Sequence, residues 1–206
     1  MARVAAARRE EHEEQRRAQI LEAALAVFSR DGFHAARVEA IAREAGLAKG
    51  TIYLYFPTKE AILQAAVERF SLLPALSGLT DALADEPPER AIPALCAALW
   101  TRLRERAPII ALLVREGAAR PENRRLFVER VLLPGNRLVA AYLDRQVERG
   151  ALRPMDTFVA GRTLVGGLTT FLLSQEVLGA AQVQPIEDAA IVATVSELFL
   201  RGALPR

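Results

Sequence analysis

Hydrophobic residues recur at intervals of three and four positions along most of the 206-residue chain, and polar residues fill the positions between them. This period is that of an amphipathic α-helix with one buried face. No run worth the name alternates hydrophobic and polar residues as a strand with one exposed face does. The pattern therefore predicts an all-α fold.

Breaks in the pattern divide the chain into about nine helices. A tail from Met1 to about Arg9 is expected to precede the first of them, and Pro74 with the polar segment 81–90 is expected to end the fourth. The predicted helices cover about 11–30, 38–45, 49–55, 58–73, 88–103, 108–118, 121–149 with a kink or split at Pro134 and Gly135, 157–178 and 186–201.

Two short helices joined by a tight turn stand out between residues 38 and 55. The first has hydrophobic residues at i, i+3, i+4 and i+7 from Val38, and Gly46 supplies the left-handed residue that ends it. In the second, Ile52 and Phe56 lie four positions apart and face inward. This pattern is typical of a DNA-binding helix-turn-helix and equally of an ordinary corner between two packed helices. The outer residues of the second helix are Lys49, Gly50, Thr51, Tyr53 and Tyr55.

The stretch 32–63 resembles the N-terminal domain of the tetracycline-repressor (TetR) family of bacterial transcription regulators. The family pattern is a glycine-aromatic turn, an Ile-Ala pair, Ala-Gly-apolar, Gly-Thr-apolar-Tyr, a phenylalanine and a Lys-Glu pair. The matches occur in order and without a gap. They are Gly32-Phe33, Ile41-Ala42, Ala45-Gly46-Leu47, Gly50-Thr51-Ile52-Tyr53, Phe56 and Lys59-Glu60.

The resemblance implies a helix-turn-helix DNA-binding domain over residues 1–58 and a helical ligand-binding and dimerisation domain over residues 59–206. It implies a cytoplasmic repressor that binds a palindromic double-stranded DNA operator as a homodimer and leaves it when a small hydrophobic effector binds. Position by position, it implies phosphate contacts for Tyr53, Tyr55 and Lys59. It also implies groove contacts for Lys49, Gly50 and Thr51.

The chain departs from the family pattern at the helix starts. Ala36 and Arg37 stand where hydroxyl residues usually cap the first helix of the motif, and Ala48 stands at the cap of the second. Loss of a Ser or Thr cap costs about 0.5–2 kcal/mol. We expect Arg37 to compensate in part through a bidentate contact with a DNA phosphate.

The last two predicted helices carry small residues among wide apolar faces, notably Gly161, Gly166 and Gly167. Because glycine inside a helix costs about 1 kcal/mol relative to alanine, these positions indicate close helix packing. That packing is either intrachain core or a four-helix bundle formed with a second copy. We favour the homodimer, which the family resemblance also implies.

The effector is expected to be lipophilic or acyl-bearing, in an apolar and aromatic pocket of the C-terminal domain. The candidate ligand-binding residues are Trp100, Arg115, Phe127, Tyr142 and Phe171, with Arg115 or Arg162 able to meet an anion.

Composition excludes several other classes of protein. Residues 1–60 contain ten Lys and Arg against nine Asp and Glu, so bulk charge alone does not indicate nucleic-acid binding. The single Cys96 excludes an intrachain disulfide, and His12 and His34 lack partners at metal-ligand or catalytic-triad spacing. The first residues lack the charged-then-apolar pattern of a signal peptide, so none is expected, and the longest apolar run, 163–174, is short for a membrane span. We therefore expect no enzyme, no cofactor or metal and no membrane contact.

Two alternatives to a ligand-responsive repressor remain. One is an all-α enzyme or ligand carrier that does not bind DNA, and the other is a DNA-bound protein that acts through a protein partner without a ligand.

Overall fold

The protein is all-α, as the sequence pattern predicts. A computed structural model describes residues 2–69, 71–119, 125 and 127–205, apart from the side chains of residues 2–7 and 115–119, and no strand occurs within these ranges. Its α-helices are α1 Ala2–Asp31, α2 Val38–Glu44, α3 Lys49–Tyr55, α4 Lys59–Arg69, α5 Leu73–Ala82, α6 Pro88–Glu105, α7 Ala107–Ala119, α8 Leu133–Glu148, α9 Thr157–Leu172 and α10 Asp188–Ala203.

The described residues form two compact units, one within Met1–Phe70 and Pro108–Leu126, the other within Ser71–Ala107 and Phe127–Arg206. In the first unit α1 packs against α2 and α4, and α2 packs against α3. The largest fully buried side chains of this unit are Ile20, Phe28, Ile41, Ile52, Phe56, Ile62, Leu63 and Leu112.

Helix α1 is longer than predicted. The expected tail up to Arg9 is wrong, because α1 already begins at Ala2. Alanine and arginine are both strong helix formers, so the Ala-rich start continues the helix. The predicted end of α1 is confirmed, since Gly32 has φ 80° and its N–H donates to the Phe28 carbonyl at 2.9 Å. The Phe33 ring then meets the Phe28 ring edge-on, with 5.2 Å between centroids.

In the second unit α8 packs on α9, α6 packs on α10 and α9, and α5 packs on α8 and α6. One face of α6 is buried through six residues at helical spacing. They are Ile92, Leu95, Cys96, Leu99, Trp100 and Leu103.

Two predicted breaks have different outcomes. The break at Pro74 is wrong, because Pro74 lies in the first turn of α5, where a proline removes no intrahelical hydrogen bond. At Pro134, where a kink or split is predicted, the backbone stays helical and changes from a π-helical turn, Val128–Leu132, to α8, whose first turn contains the proline. Residues 121–124 and 126 of the predicted helix lie outside the described residues.

Glycines in α9 bring neighbouring helices close together within the chain. A Cβ on Gly161 would lie 3.1 Å from Cγ1 of Val139 in α8, and one on Gly167 would lie 3.4 Å from Cγ1 of Val195 in α10. A Cβ on Gly166 would meet nothing within 4 Å. The predicted close packing is therefore intrachain at two of these positions, and Gly166 remains open.

The segment Thr157–Val177, which joins α9 to a following π-helical turn, has 21 residues with a mean hydropathy of 1.2. By length and composition alone it could cross a membrane, although helices in protein cores often meet the same criteria. Only 22% of the segment is buried. Its exposed large apolar side chains are Phe158 and Val159, whereas Leu164, Leu168 and Leu172 are buried.

Candidate nucleic-acid interface

The turn between α2 and α3 is set by Gly46. Its φ is 66°, in the left-handed region that side chains disfavour. The Gly46 N–H donates to the Arg43 carbonyl at 3.1 Å, and the Leu47 N–H donates to the Ala42 carbonyl at 2.8 Å. These two bonds form the Schellman motif, which turns the chain sharply after α2.

Helix α3 is anchored on its inner side and open on its outer side. Ile52 and Phe56 are buried, as predicted. Lys49 and Gly50 at its start are exposed, and Tyr53 is 45% exposed, while Thr51 and Tyr55 are half-buried. Leu54, which the sequence reasoning did not select, is 84% exposed. A helix fixed from below with its first turn open has the geometry of a helix that enters a DNA groove.

Neither helix of the motif has a side-chain cap. Arg37 and Ala48 occupy the two N-cap positions in extended conformation, and neither makes a side-chain capping hydrogen bond. The absence of caps expected from the sequence is confirmed. The Arg37 side chain is exposed.

Lys49 is held by a carboxylate of the same surface. Its Nζ lies 2.5 Å from Oε1 of Glu39 in α2 and 5.8 Å from the centroid of the Tyr53 ring. The hydrogen bond between Lys49 and Glu39 raises the pKa of the lysine and lowers the pKa of the glutamate. Both side chains remain about half exposed, so a DNA phosphate or base can compete for the ammonium group.

Lys59, unlike Lys49, bonds to main-chain carbonyls and not to a carboxylate. Its Nζ donates to the carbonyls of Phe33, His34 and Ala36 at 2.6, 3.1 and 3.1 Å. It also lies 4.6 Å from the centroid of the Phe33 ring. Because an ammonium group has three protons, these carbonyls account for all of them. The phosphate contact inferred for Lys59 would require it to leave the turn between α1 and α2 that it stabilises here.

Two side chains of α1 contact the C-terminal ends of α2 and α3, and neither contact was predicted. The Arg17 guanidinium lies 4.6 Å from the centroid of the Phe56 ring, and its Nη1 donates to the Tyr55 carbonyl at 3.4 Å. Gln19 Nε2 donates to the Ala45 carbonyl at 2.7 Å. Both contacts hold helix ends of the motif against α1. Sequence spacing gives no signal for them, because they join residues 26 to 39 positions apart.

The structure describes the side chains of four of the five predicted ligand-binding residues. Trp100 is buried and lines a cavity of about 450 Å³. Tyr142 is buried, its hydroxyl has no hydrogen-bond partner among the described residues, and burial raises its pKa to about 12. Phe127 and Phe171 are half-buried, and the Arg115 side chain lies outside the described residues. A second cavity, of about 380 Å³, is lined by Leu132, Leu133, Asn136, Phe158, Val159, Arg162 and Thr163.

Comparison with protein families shows which family the chain with the exposed helix α3 belongs to. Residues 20–66 match the family described as bacterial regulatory proteins, tetR family. Residues 97–202, about half of the chain, match the C-terminal domain described as AefR-like transcriptional repressor. The chain belongs to the TetR family of bacterial transcriptional regulators. Its helix-turn-helix is therefore a DNA-binding element rather than a packing corner.

Relatives of this TetR-family regulator are matched over part of their length. A regulator of Bacillus subtilis, YerO, is 29% identical over 114 residues, 54% of this chain and 39% of that protein. The fatty acid metabolism regulator protein of Bacillus subtilis is 53% identical over 45 residues, 22% of this chain and 23% of that protein. The matches thus span well under half the length of these relatives.

Solved structures of the family share the whole fold. A TetR-family regulator from Mesorhizobium loti has a TM-score of 0.79 at 20% identity, over 94% of this chain and 98% of that one. FadR from Bacillus subtilis, in complex with stearoyl-CoA, has a TM-score of 0.73 at 23% identity, over 89% and 97% of the two chains. PfmR from Thermus thermophilus has a TM-score of 0.67 at 27% identity, over 91% and 99%.

Proposed function

We propose that this TetR-family regulator is a cytoplasmic repressor that binds a palindromic operator as a homodimer and is released by a small lipophilic or acyl-bearing effector. The observation that carries the DNA-binding part is the outer face of α3, where Lys49, Gly50 and Tyr53 are exposed above buried Ile52 and Phe56. Groove contacts come from Lys49, Gly50 and Thr51. Phosphate contacts come from Arg37, Tyr53 and Tyr55, with Lys59 holding the turn behind them.

The homodimer is proposed on the open apolar surface of α9 and α10. One recognition helix reads few base pairs, whereas two helices held about 34 Å apart read both halves of a palindrome. Release then follows if the effector binds more tightly to a dimer whose reading helices no longer fit that spacing. A coupling of about 1–3 kcal/mol changes operator affinity roughly 5- to 150-fold.

The effector proposal rests on the C-terminal unit. The cavity of about 380 Å³ is lined mainly by apolar side chains and carries the Arg162 guanidinium. An acyl chain with an anionic head suits that combination, and FadR of Bacillus subtilis is described with stearoyl-CoA bound. We propose no enzymatic activity for a protein of this family of regulators.

The test is fluorescence anisotropy of the purified protein on the duplex upstream of its own gene, at two salt concentrations. We expect salt-dependent binding, and a loss of roughly tenfold or more for Thr51→Ala and for Tyr53→Ala. Thr101→Ala, an exposed position on α6, is the matched control and should bind as the wild type does. Absence of salt-dependent duplex binding would favour a ligand carrier instead. Operator binding that ignores every effector would favour regulation through a protein partner.

A further inference from the structure

The cavity beside Trp100 is built entirely from the second unit, between α6, the π-helical turn Leu173–Val177 and the start of α10. Its volume of about 450 Å³ lies within the range of about 300–1,000 Å³ typical of small-molecule sites. The Trp100 ring and Ile191, 4% and 2% exposed, form firmly packed parts of its wall. The Trp100 indole N–H has no hydrogen-bond acceptor among the described residues.

The charges that line this cavity are mostly negative. They are the carboxylates of Glu176, Glu187 and Asp188 and the guanidinium of Arg104. Three negative groups and one positive group give a formal net charge of −2. The N-terminus of α10 contributes about half a positive charge, which leaves the excess negative.

Arg104 is not free to bind an anion. Its Nη2 lies 3.0 Å from Oε1 of Glu176, and its Nη1 lies 2.5 Å from Oδ2 of Asp188. Both carboxylates raise the pKa of Arg104. The Glu187 carboxylate makes no capping bond to α10 and no ion pair in the described structure, so it is the one carboxylate of the three without a cation.

We propose that this cavity is a binding site for a lipophilic organic cation, with the charge near Glu187 and the apolar part against the indole of Trp100. The cavity lined by Phe158 and Arg162 has the opposite charge, so the two sites select ligands of opposite sign. The Trp100 site is distinct from the acyl effector proposed above and does not depend on it.

Trp100 is the only tryptophan of the chain, so intrinsic fluorescence excited near 295 nm reports on this cavity alone. The full-length protein is titrated with tetraphenylphosphonium and, separately, with tetraphenylborate, which has nearly the same size and shape but a negative charge. We expect saturable quenching by the cation and at least tenfold weaker binding of the anion. Decanoate, an acyl anion, should also leave the fluorescence unchanged.

Glu187→Gln should weaken binding of the cation roughly three- to tenfold, whereas Glu197→Gln, which lies on the same helix outside the cavity, should not. Trp100→Phe removes the fluorescence signal, and calorimetry should show that it also weakens binding of the cation. Equal binding of the two probes, no binding of either, or no effect of Glu187→Gln would overturn the proposal.

Discussion

At the scale of single residues, two lysines of the proposed DNA-facing surface make different contacts. Lys49 pairs with one exposed carboxylate, Glu39, and keeps half of its surface open. Lys59 gives its protons to three main-chain carbonyls. The residue type is the same, but only the first ammonium group can exchange its partner for DNA without disturbing the fold.

Glu39→Gln should strengthen binding to non-specific duplex roughly two- to fivefold, because Lys49 no longer has to leave a charged partner. The change removes a carboxylate from the surface that faces the phosphates and lets the pKa of Lys49 fall toward its ordinary value. Anisotropy with an unrelated duplex at low salt measures this gain in affinity. Glu44→Gln on the same helix is the matched control, since Glu44 pairs with Arg30 of α1 at 3.3 Å instead. Equal gains in the two variants would argue against a specific effect of the Lys49 pair.

Lys59→Met should lower the free energy of unfolding by about 1–3 kcal/mol, because three carbonyls lose a charged donor. Its effect on the salt dependence of operator binding should be small. Lys49→Met should change the stability little and, as the loss of a groove contact, should lower the preference for the operator over an unrelated duplex. Urea unfolding and anisotropy at several salt concentrations measure the two quantities. A flatter salt slope for Lys59→Met at unchanged stability would restore Lys59 as a phosphate contact.

At the scale of elements, the turn between α2 and α3 depends on one backbone angle. Gly46→Ala should destabilise the protein by about 1–2 kcal/mol, because an alanine at φ 66° brings its Cβ too close to the following carbonyl oxygen. Steric contact with other residues does not add to this destabilisation, since a Cβ on Gly46 would meet nothing within 4 Å.

Gly50→Ala is the matched control for that variant, because its Cβ also meets nothing and its backbone is helical. Alanine there should raise stability by up to about 1 kcal/mol. The same substitution should weaken operator binding, since Gly50 lies on the proposed groove-facing turn. Thermal unfolding gives the first result and anisotropy the second, and equal destabilisation by both variants would contradict the role assigned to Gly46.

The helices themselves were largely predictable from the sequence, for a local reason. Hydrophobic period and terminal signals such as Gly46, Thr58 and Gly150 depend on neighbouring residues only, and Thr58 indeed accepts the Ala61 N–H at 3.0 Å. Helix α5 was missed because Pro74 was taken as an end, whereas a proline also fits a first turn.

The parts of the site that depend on distant residues were not predictable. The carbonyls around Lys59 lie 23 to 26 positions from it in sequence. The surroundings of the aromatic residues chosen as a ligand pocket also depend on packing, since Tyr142 is enclosed in the core while Trp100 lines a cavity wall. Composition identified aromatic residues, but only the packing of α6, α9 and α10 determines which of them a ligand can meet.

At the scale of the whole molecule, α9 and α10 leave large apolar side chains uncovered. Phe158, Val159 and Leu198 are 42%, 57% and 66% exposed. We propose that a second copy covers these side chains, since closed two-fold dimers are the commonest assembly of soluble proteins. Because Gly166 is also open, a helix of a second copy can approach α9 closely at that point.

Leu198→Arg should therefore convert a homodimer into a monomer, since it places a charge in the proposed interface of each copy. Operator affinity should fall at least 100-fold, because two linked half-site contacts bind far more tightly than one. Val114→Arg, at a 43% exposed valine of α7 in the other unit, should remain dimeric and bind the operator normally. Sedimentation equilibrium and anisotropy measure the two effects. A wild-type protein that is monomeric and sediments with lipid vesicles would instead assign the uncovered face of Thr157–Val177 to a membrane, because that segment is long and apolar enough to span one.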